Sequence, residues 1–303
     1  MLQAQIDKHA IPGVLSFAAN EHGLVYASIT SVACSAVVYL QGAHVADWCP
    51  SGHEPVLFLS ERSMFAPGKA IRGGIPIIFP WFGARTANEY CSRSDGPSHG
   101  FARTTVWQIE ESKVQGEDVI LTLTLNPDDN TRSQSYDAFY VTFQMVFGES
   151  LELNFTVENK SNEKMFFEEA FHSYFMVGDA RQISIQGLQD TDYLDKTDEF
   201  KRKKQTESTL TLTGETDRPY VGTEATVTVT DPVLKRKIIV SKAHSRTTVV
   251  WNPWIELTAK LADMSPDGWM RMVCIETANA LENAVTLGPG EKHTMSARIV
   301  VEK

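Results

Sequence analysis

The sequence predicts an all-β fold, and three observations carry that expectation. Apolar residues recur at every second position in run after run, turn-forming residues separate the runs, and no long stretch has helical spacing. In Phe139–Phe147 every odd position is apolar. Leu151, Leu153, Phe155 and Val157 continue the pattern after a Gly-Glu-Ser turn at 148–150. Upstream, Val119, Leu121, Leu123 and Leu125 alternate before the turn-rich segment 126–130. Successive strand residues point to opposite faces, so runs of this kind bury one face, as packed antiparallel sheets require. Further strands are expected around 210–212, 225–229, 237–240, 247–251 and 297–301. Short helices are expected near 60–64 and 259–264, too small to organise the fold. The most polar stretch, 195–208, reads as a solvated loop between strands despite its Lys201-Arg202-Lys203-Lys204 run. No linker or low-complexity tract divides the 303 residues, so one domain, 1–303, is expected.

Composition narrows the functional classes. With 42% hydrophobic and 22% charged residues the chain has ample material for a core. A formal net charge of −10 argues against nucleic acid or an anionic membrane as the main partner. It does not exclude an anionic ligand, because long-range repulsion is screened beyond roughly 8 Å at physiological salt. It does demand specific arginines. No segment approaches the roughly 20 apolar residues that span a bilayer. Residues 1–10 carry Gln, Asp, Lys and His in place of an apolar leader, so a cytoplasmic protein is expected. Cys34, Cys49, Cys91 and Cys274 form no Cys-x-x-Cys pair and read as free thiols, with no metal site expected. Cys274, inside Met272-Val273-Cys274-Ile275, suits a small core hydrophobe. The chain contains no Gly-x-Gly-x-x-Gly, Walker pattern or nucleophile elbow, so no nucleotide cofactor is expected.

Four segments have the residue types of a site. In 69–83, Arg72 precedes Gly73-Gly74; an arginine offers a planar fork to phosphate, and glycines allow close backbone approach. A surface arginine on a glycine turn is the plainer reading of that segment alone. In 98–103, His99 and Arg103 flank Gly100, Phe101 and Ala102. In 170–175, after Glu168-Glu169, a strand would put His172 and Tyr174 on one face and Phe171, Ser173 and Phe175 on the other. His172 is then either a general acid, its ordinary pKa lying near working pH, or a core histidine satisfied by backbone. In 273–280, Glu276 interrupts an apolar run, where a carboxylate must be paired or serve as a base in a cleft. Trp251-Asn252-Pro253-Trp254 adds flat faces beside an amide, suited to sugar stacking and equally to core filling. Tyr193-Leu194-Asp195-Lys196 and Asp217-Arg218-Pro219-Tyr220 each set a carboxylate beside an aromatic and a cation.

Taken in order, these segments resemble the hexose-6-phosphate mutarotase branch of the aldose 1-epimerase superfamily. The likeness is carried by 71–76, 79–83, 99–103, 171–175, 217–220, 251–254 and 275–279. It implies a large two-layer antiparallel β-supersandwich of the galactose mutarotase kind. It also implies that His172 is the general acid and Glu276 the general base. Arg72 and Arg103 match phosphate-binding positions; His99 and Asp217 match polar positions of the sugar site, and Trp251 joins them as a stacking surface. Pro219 departs from the β-branched residue expected beside Asp217. The reaction implied is interconversion of the α and β anomers of a hexose 6-phosphate, with glucose 6-phosphate the first choice, by a monomer without cofactor. The alternatives are a 1-epimerase of unphosphorylated aldoses, a non-catalytic carbohydrate-binding protein, and an isomerase or lyase acting α to the carbonyl. Opening a hemiacetal takes a proton to the ring oxygen and another from the anomeric hydroxyl. One acid and one base therefore suffice.

Overall fold

The computed structural model describes residues 2–89 and 91–303. Every strand pair in it is antiparallel, and two large sheets dominate. The nine-stranded sheet runs Thr209–Leu210, Ser184–Gln186, Val227–Asp231, Arg236–Ala243, Lys292–Glu302, Ser150–Asn159, Phe139–Phe147, Asp118–Leu125, Gln108–Gln115. Its centre is the part most legible in sequence. Phe139–Phe147 is a strand from end to end, and its buried odd residues pair directly with those of Ser150–Asn159, for example Phe143 with Phe155 and Met145 with Leu153.

The second large sheet has eight strands. Seven run in the order Lys201–Lys204, Asp192–Asp195, Thr216–Val221, Thr247–Asn252, Met272–Asn279, Glu169–Phe171, Ile77–Ile78, and Tyr174–Met176 also pairs with Met272–Asn279. Its inner face meets the nine-stranded sheet: the Phe143 and Phe171 rings stack at 5.6 Å, and Val250, Val273 and Ile275 join the same core. A four-stranded meander, Leu15–Ala19 through His44–Pro50, adds Ala36, Val38 and Trp48 to that core. The two-layer sandwich is therefore an all-β fold, as the alternation predicts.

The outer face of the eight-stranded sheet is covered as well. Met272–Asn279 is buried at all eight positions. Val273 and Ile275 point into the main core, whereas Met272 and Cys274 pack with Phe58, Tyr174 and Met264 on the other side. Ala278 joins Ile78, Phe82 and Val249 in a third cluster. Glu276 lies between those two outer clusters on the same face, by the two-residue period of the strand.

Three local expectations are corrected. Segments 60–64 and 259–264 form turns, not helices; the nearest helix, Trp254–Thr258, ends before the second. Their backbone bonds close isolated turns, Ser63 N–H to the Ser60 carbonyl and Met264 N–H to the Leu261 carbonyl. The two segments are tied together, Ser60 Oγ donating to the Asp263 carbonyl at 2.7 Å. The third is Lys201–Lys204, an edge strand paired with Asp192–Asp195 and not a loop. Its cations are engaged locally: Lys201 with Asp198 (2.6 Å), Lys203 with Asp195 and Asp198 (both 2.8 Å), Arg202 with Glu282. A lysine-rich edge discourages further strand addition.

Candidate active site

The site is assembled on the outer face of the eight-stranded sheet. Asp217 lies opposite Trp251, Trp251 opposite Cys274, and Cys274 opposite Tyr174. Directly opposed residues of an antiparallel ladder share a face, so these four form one row across four strands. Glu276 is two residues from Cys274 and shares that face. The strand carrying Glu169–Phe171 breaks at 172–173 and resumes at Tyr174, with His172 N–H leaving the ladder to bond the Pro76 carbonyl at 3.0 Å. The break turns the His172 ring onto the row. It stacks on Tyr174 (4.7 Å between centroids, 9° between planes), with Trp251 edge-on at 5.8 Å. His172 Nε2 lies 3.4 Å from Glu276 Oε1.

Two loops close the row from the other side. Gly73 and Gly74 have φ of +107° and +62°, and a Cβ on either would stand 2.3 Å from a backbone oxygen, of Phe58 and Val45 respectively. The glycines thus pack against the chain itself; the expected close approach to a ligand is not their role. They deliver Arg72, whose Nη1 donates to Tyr174 Oη at 3.0 Å and whose Nε and Nη2 both meet Asp263 at 3.1 Å. The second loop bears His99 and Arg103 on either side of Gly100, where a Cβ would lie 2.1 Å from the Phe79 carbonyl oxygen. Gly100→Ala is expected to destabilise the protein by about 3 kcal/mol or more, read from urea unfolding, since it adds a backbone clash to the cost of a positive φ. Arg103 is held by the Ser98 carbonyl (2.7 Å). His99 packs on the His172 ring at 5.6 Å and on Phe82 at 5.1 Å. Its Nδ1 accepts from Gly83 N–H at 3.2 Å, so the proton of the neutral ring sits on Nε2.

Burial and charge set the protonation states. Burial pushes His172 well below the ordinary histidine value, with His99, Arg72 and Arg103 adding to the effect. The ordinary value near working pH is therefore not the one that applies here, and burial favours the uncharged ring. Burial likewise brings His99 down to about 3, helped by Arg103, Lys196 and Arg72. Burial drives Glu276 well above the ordinary carboxylate range; Asp217 reinforces the rise and Lys196 opposes it. For Arg72 burial disfavours the charge, but Tyr174 and Asp263 outweigh it and the pKa rises. His172 Nδ1, Glu276 Oε2 and Asp217 Oδ1 are buried without a hydrogen-bond partner in the protein. Buried polar atoms are rarely left so, and three of them on one face leave hydrogen-bonding capacity for a polar ligand. His172, Cys274 and Glu276 also bring ligand-type atoms within 4.8 Å of one another. Burial raises the Cys274 thiol far above its usual range, however, and a protonated thiol is a poor metal ligand.

The profile of the aldose 1-epimerase family matches residues 27–299. The chain belongs to that family. It is 34% identical over 243 residues to an Escherichia coli protein provisionally named glucose-6-phosphate 1-epimerase, covering 80% of this chain and 79% of the relative. A Cenchrus ciliaris protein with the same provisional name is 30% identical over 268 residues, covering 86% and 79%. A crystal structure of a provisionally assigned mutarotase from Salmonella typhimurium superposes with a TM-score of 0.89 at 30% identity, over the whole of both chains. The chain is accordingly an epimerase with the galactose mutarotase-like fold.

Within this aldose 1-epimerase, the structure brings His172, Glu276, Arg72, Arg103, His99, Asp217 and Trp251 into one neighbourhood. Pro219 leaves Asp217 on the site face, opposite Trp251. Other expectations fall away. Asn252 spends its amide on the Trp269 and Met272 carbonyls (both 2.8 Å), and Trp254 packs on Trp269 at 4.3 Å, so neither reads a sugar. Asp195 accepts from Thr197 and pairs with Lys203. Glu168 bridges the Phe82 and Leu281 amides at 2.8 and 2.7 Å, and Glu169 is locked to His293 and Asn279. Sequence reasoning assigned no role to Asp263, which steadies Arg72 from a segment 191 residues away, or to Lys196, whose Nζ lies 2.7 Å from Asp217 Oδ2. Only Lys196 left a signal, standing in a motif where the neighbouring Asp195 drew attention. For Asp263 there was none.

Proposed function

We propose that this epimerase interconverts the α and β anomers of a hexose 6-phosphate, glucose 6-phosphate first among them. The observation that carries the reading is the placement of Arg72 and Arg103 around the His172–Glu276 pair, both within electrostatic reach of His172. Two guanidinium groups suit a dianion, and the acid–base pair beside them suits a hemiacetal. The provisional names of the relatives point the same way. With Glu276 ionised and His172 carrying a second proton in the substrate complex, Glu276 takes the proton of the anomeric hydroxyl while His172 gives one to the ring oxygen. The C1–O5 bond opens, rotation about C1–C2 presents the other carbonyl face, and reversed transfers close the opposite anomer. Trp251 offers its face to the sugar, and His99 Nε2–H and Asp217 Oδ1 serve its hydroxyls. All these groups come from one chain, so a monomer suffices. The four free thiols suit a reducing compartment such as the cytoplasm.

The test is anomer exchange followed by magnetisation-transfer NMR on glucose 6-phosphate, with free glucose and galactose alongside. Acceleration confined to the phosphate supports the assignment. Acceleration confined to free sugars would keep the acid–base pair and overturn the phosphate site. In D₂O, deuterium entering at C2 would instead reveal chemistry α to the carbonyl.

A further inference from the structure

A general base must be deprotonated, yet Glu276 is 1% exposed and burial disfavours its charge. The groups facing it are His172 from the strand break, Tyr174 and Cys274 from the adjoining ladder, Asp217 from Thr216–Val221, and Lys196 from the turn Lys196–Asp198. His172 is neutral, and burial raises the Tyr174 and Cys274 pKa values, so both keep their protons. Asp217 carries like charge. Lys196 is the cation of the set. Its position is fixed from two sides: Nζ lies 2.7 Å from Asp217 Oδ2 and 5.8 Å from the centre of the Phe82 ring, the same ring that packs on His99. Asp217 in turn stands in the lateral row of Trp251 and Cys274, and Glu276, two residues from Cys274, shares that face.

We propose that Lys196 is a positioning residue of the reaction: anchored on Asp217, its ammonium balances the two buried carboxylates, so that Glu276 meets the sugar as an anion. The inference rests on the reading of Glu276 as the base. Two carboxylates sharing one ammonium can both stay ionised. Without it they repel, and one of them takes up a proton, as paired acids in one site do.

The experiment compares pH profiles of kcat for glucose 6-phosphate exchange in the wild type, Lys196→Met, Lys196→Arg, the Lys196→Met/Asp217→Asn pair and Glu276→Gln, with thermal melts to confirm folding. The rate falls as pH drops through the point where the base is protonated. In Lys196→Met that acid limb is expected to move to higher pH by about one unit, the low end of what a lost neighbouring charge produces. Lys196→Arg should restore it, and adding Asp217→Asn should bring it back toward lower pH, because a repelling carboxylate has gone. A folded Lys196→Met protein with a uniform loss at every pH would overturn the role of Lys196 while Glu276→Gln stays inactive. Should Lys196→Met not fold, an unmoved limb in a folded Lys196→Gln would overturn it equally. Retained exchange in Glu276→Gln would overturn the assignment of the base itself.

Discussion

Glu276→Gln is expected to abolish catalysed anomer exchange, lowering kcat by about 10³–10⁴-fold, the upper range for loss of a positioned general base. The substitution is nearly isosteric, so the 3.4 Å contact to His172 and the packing between the two outer clusters persist. What is lost is the ability to receive a proton. An amide also relieves the cost of a buried carboxylate, so the melting temperature should hold or rise. A well-folded, stable and inactive protein is therefore the predicted result, checked by exchange NMR beside calorimetry. Retention of even a tenth of the wild-type rate would remove Glu276 from the mechanism.

The second large effect concerns selectivity. Replacing both Arg72 and Arg103 with Gln should raise KM for glucose 6-phosphate by about 100-fold or more, since each charge-assisted hydrogen bond contributes about 1.5–3 kcal/mol. Exchange of free glucose should stay within about threefold, because no phosphate contact is there to lose. Arg103→Gln alone is the cleaner control: Arg72 also holds Tyr174 and Asp263, whereas the Arg103 side chain donates to the Ser98 carbonyl. Raising ionic strength in the wild type should erode the preference in the same direction. Equal losses on both sugars would show that the arginines serve the fold and not the phosphate.

How far such a site can be seen in sequence depends on whether its logic is local. The strands Phe139–Phe147 and Ser150–Asn159 are legible because alternation is a property of neighbours, and a slip of one residue would expose every apolar side chain. The sharing of one face by His172 and Tyr174 is legible for the same reason, although the strand breaks between them. The glycines before Ile75 are visible as special, but their purpose depends on Phe58 and Val45, which only the fold brings near. The protonation state of His172 is further from view, being set by burial and by cations from two distant loops. Asp263 lies further still: it acts on a partner from another part of the chain, and a lone acidic residue in a polar turn has no pattern to betray it, while Lys196 left only its place beside Asp195.

Tyr174 joins the arginine clamp to the imidazole, its hydroxyl on Arg72 and its ring against His172. In the resting protein burial, with His99 and the two guanidinium groups adding to it, disfavours a second proton on that imidazole. On the proposed hexose-phosphate reading, a dianion seated between the guanidinium groups would offset their share of that effect, and the ring would hold a proton more readily. On that reading the phosphorylated substrate would arm its own donor, and a neutral sugar would meet that donor less ready to act. Discrimination of this kind is exercised in rate as well as in occupancy. It lets a mutarotase choose its sugar without gripping either anomer tightly enough to slow its release.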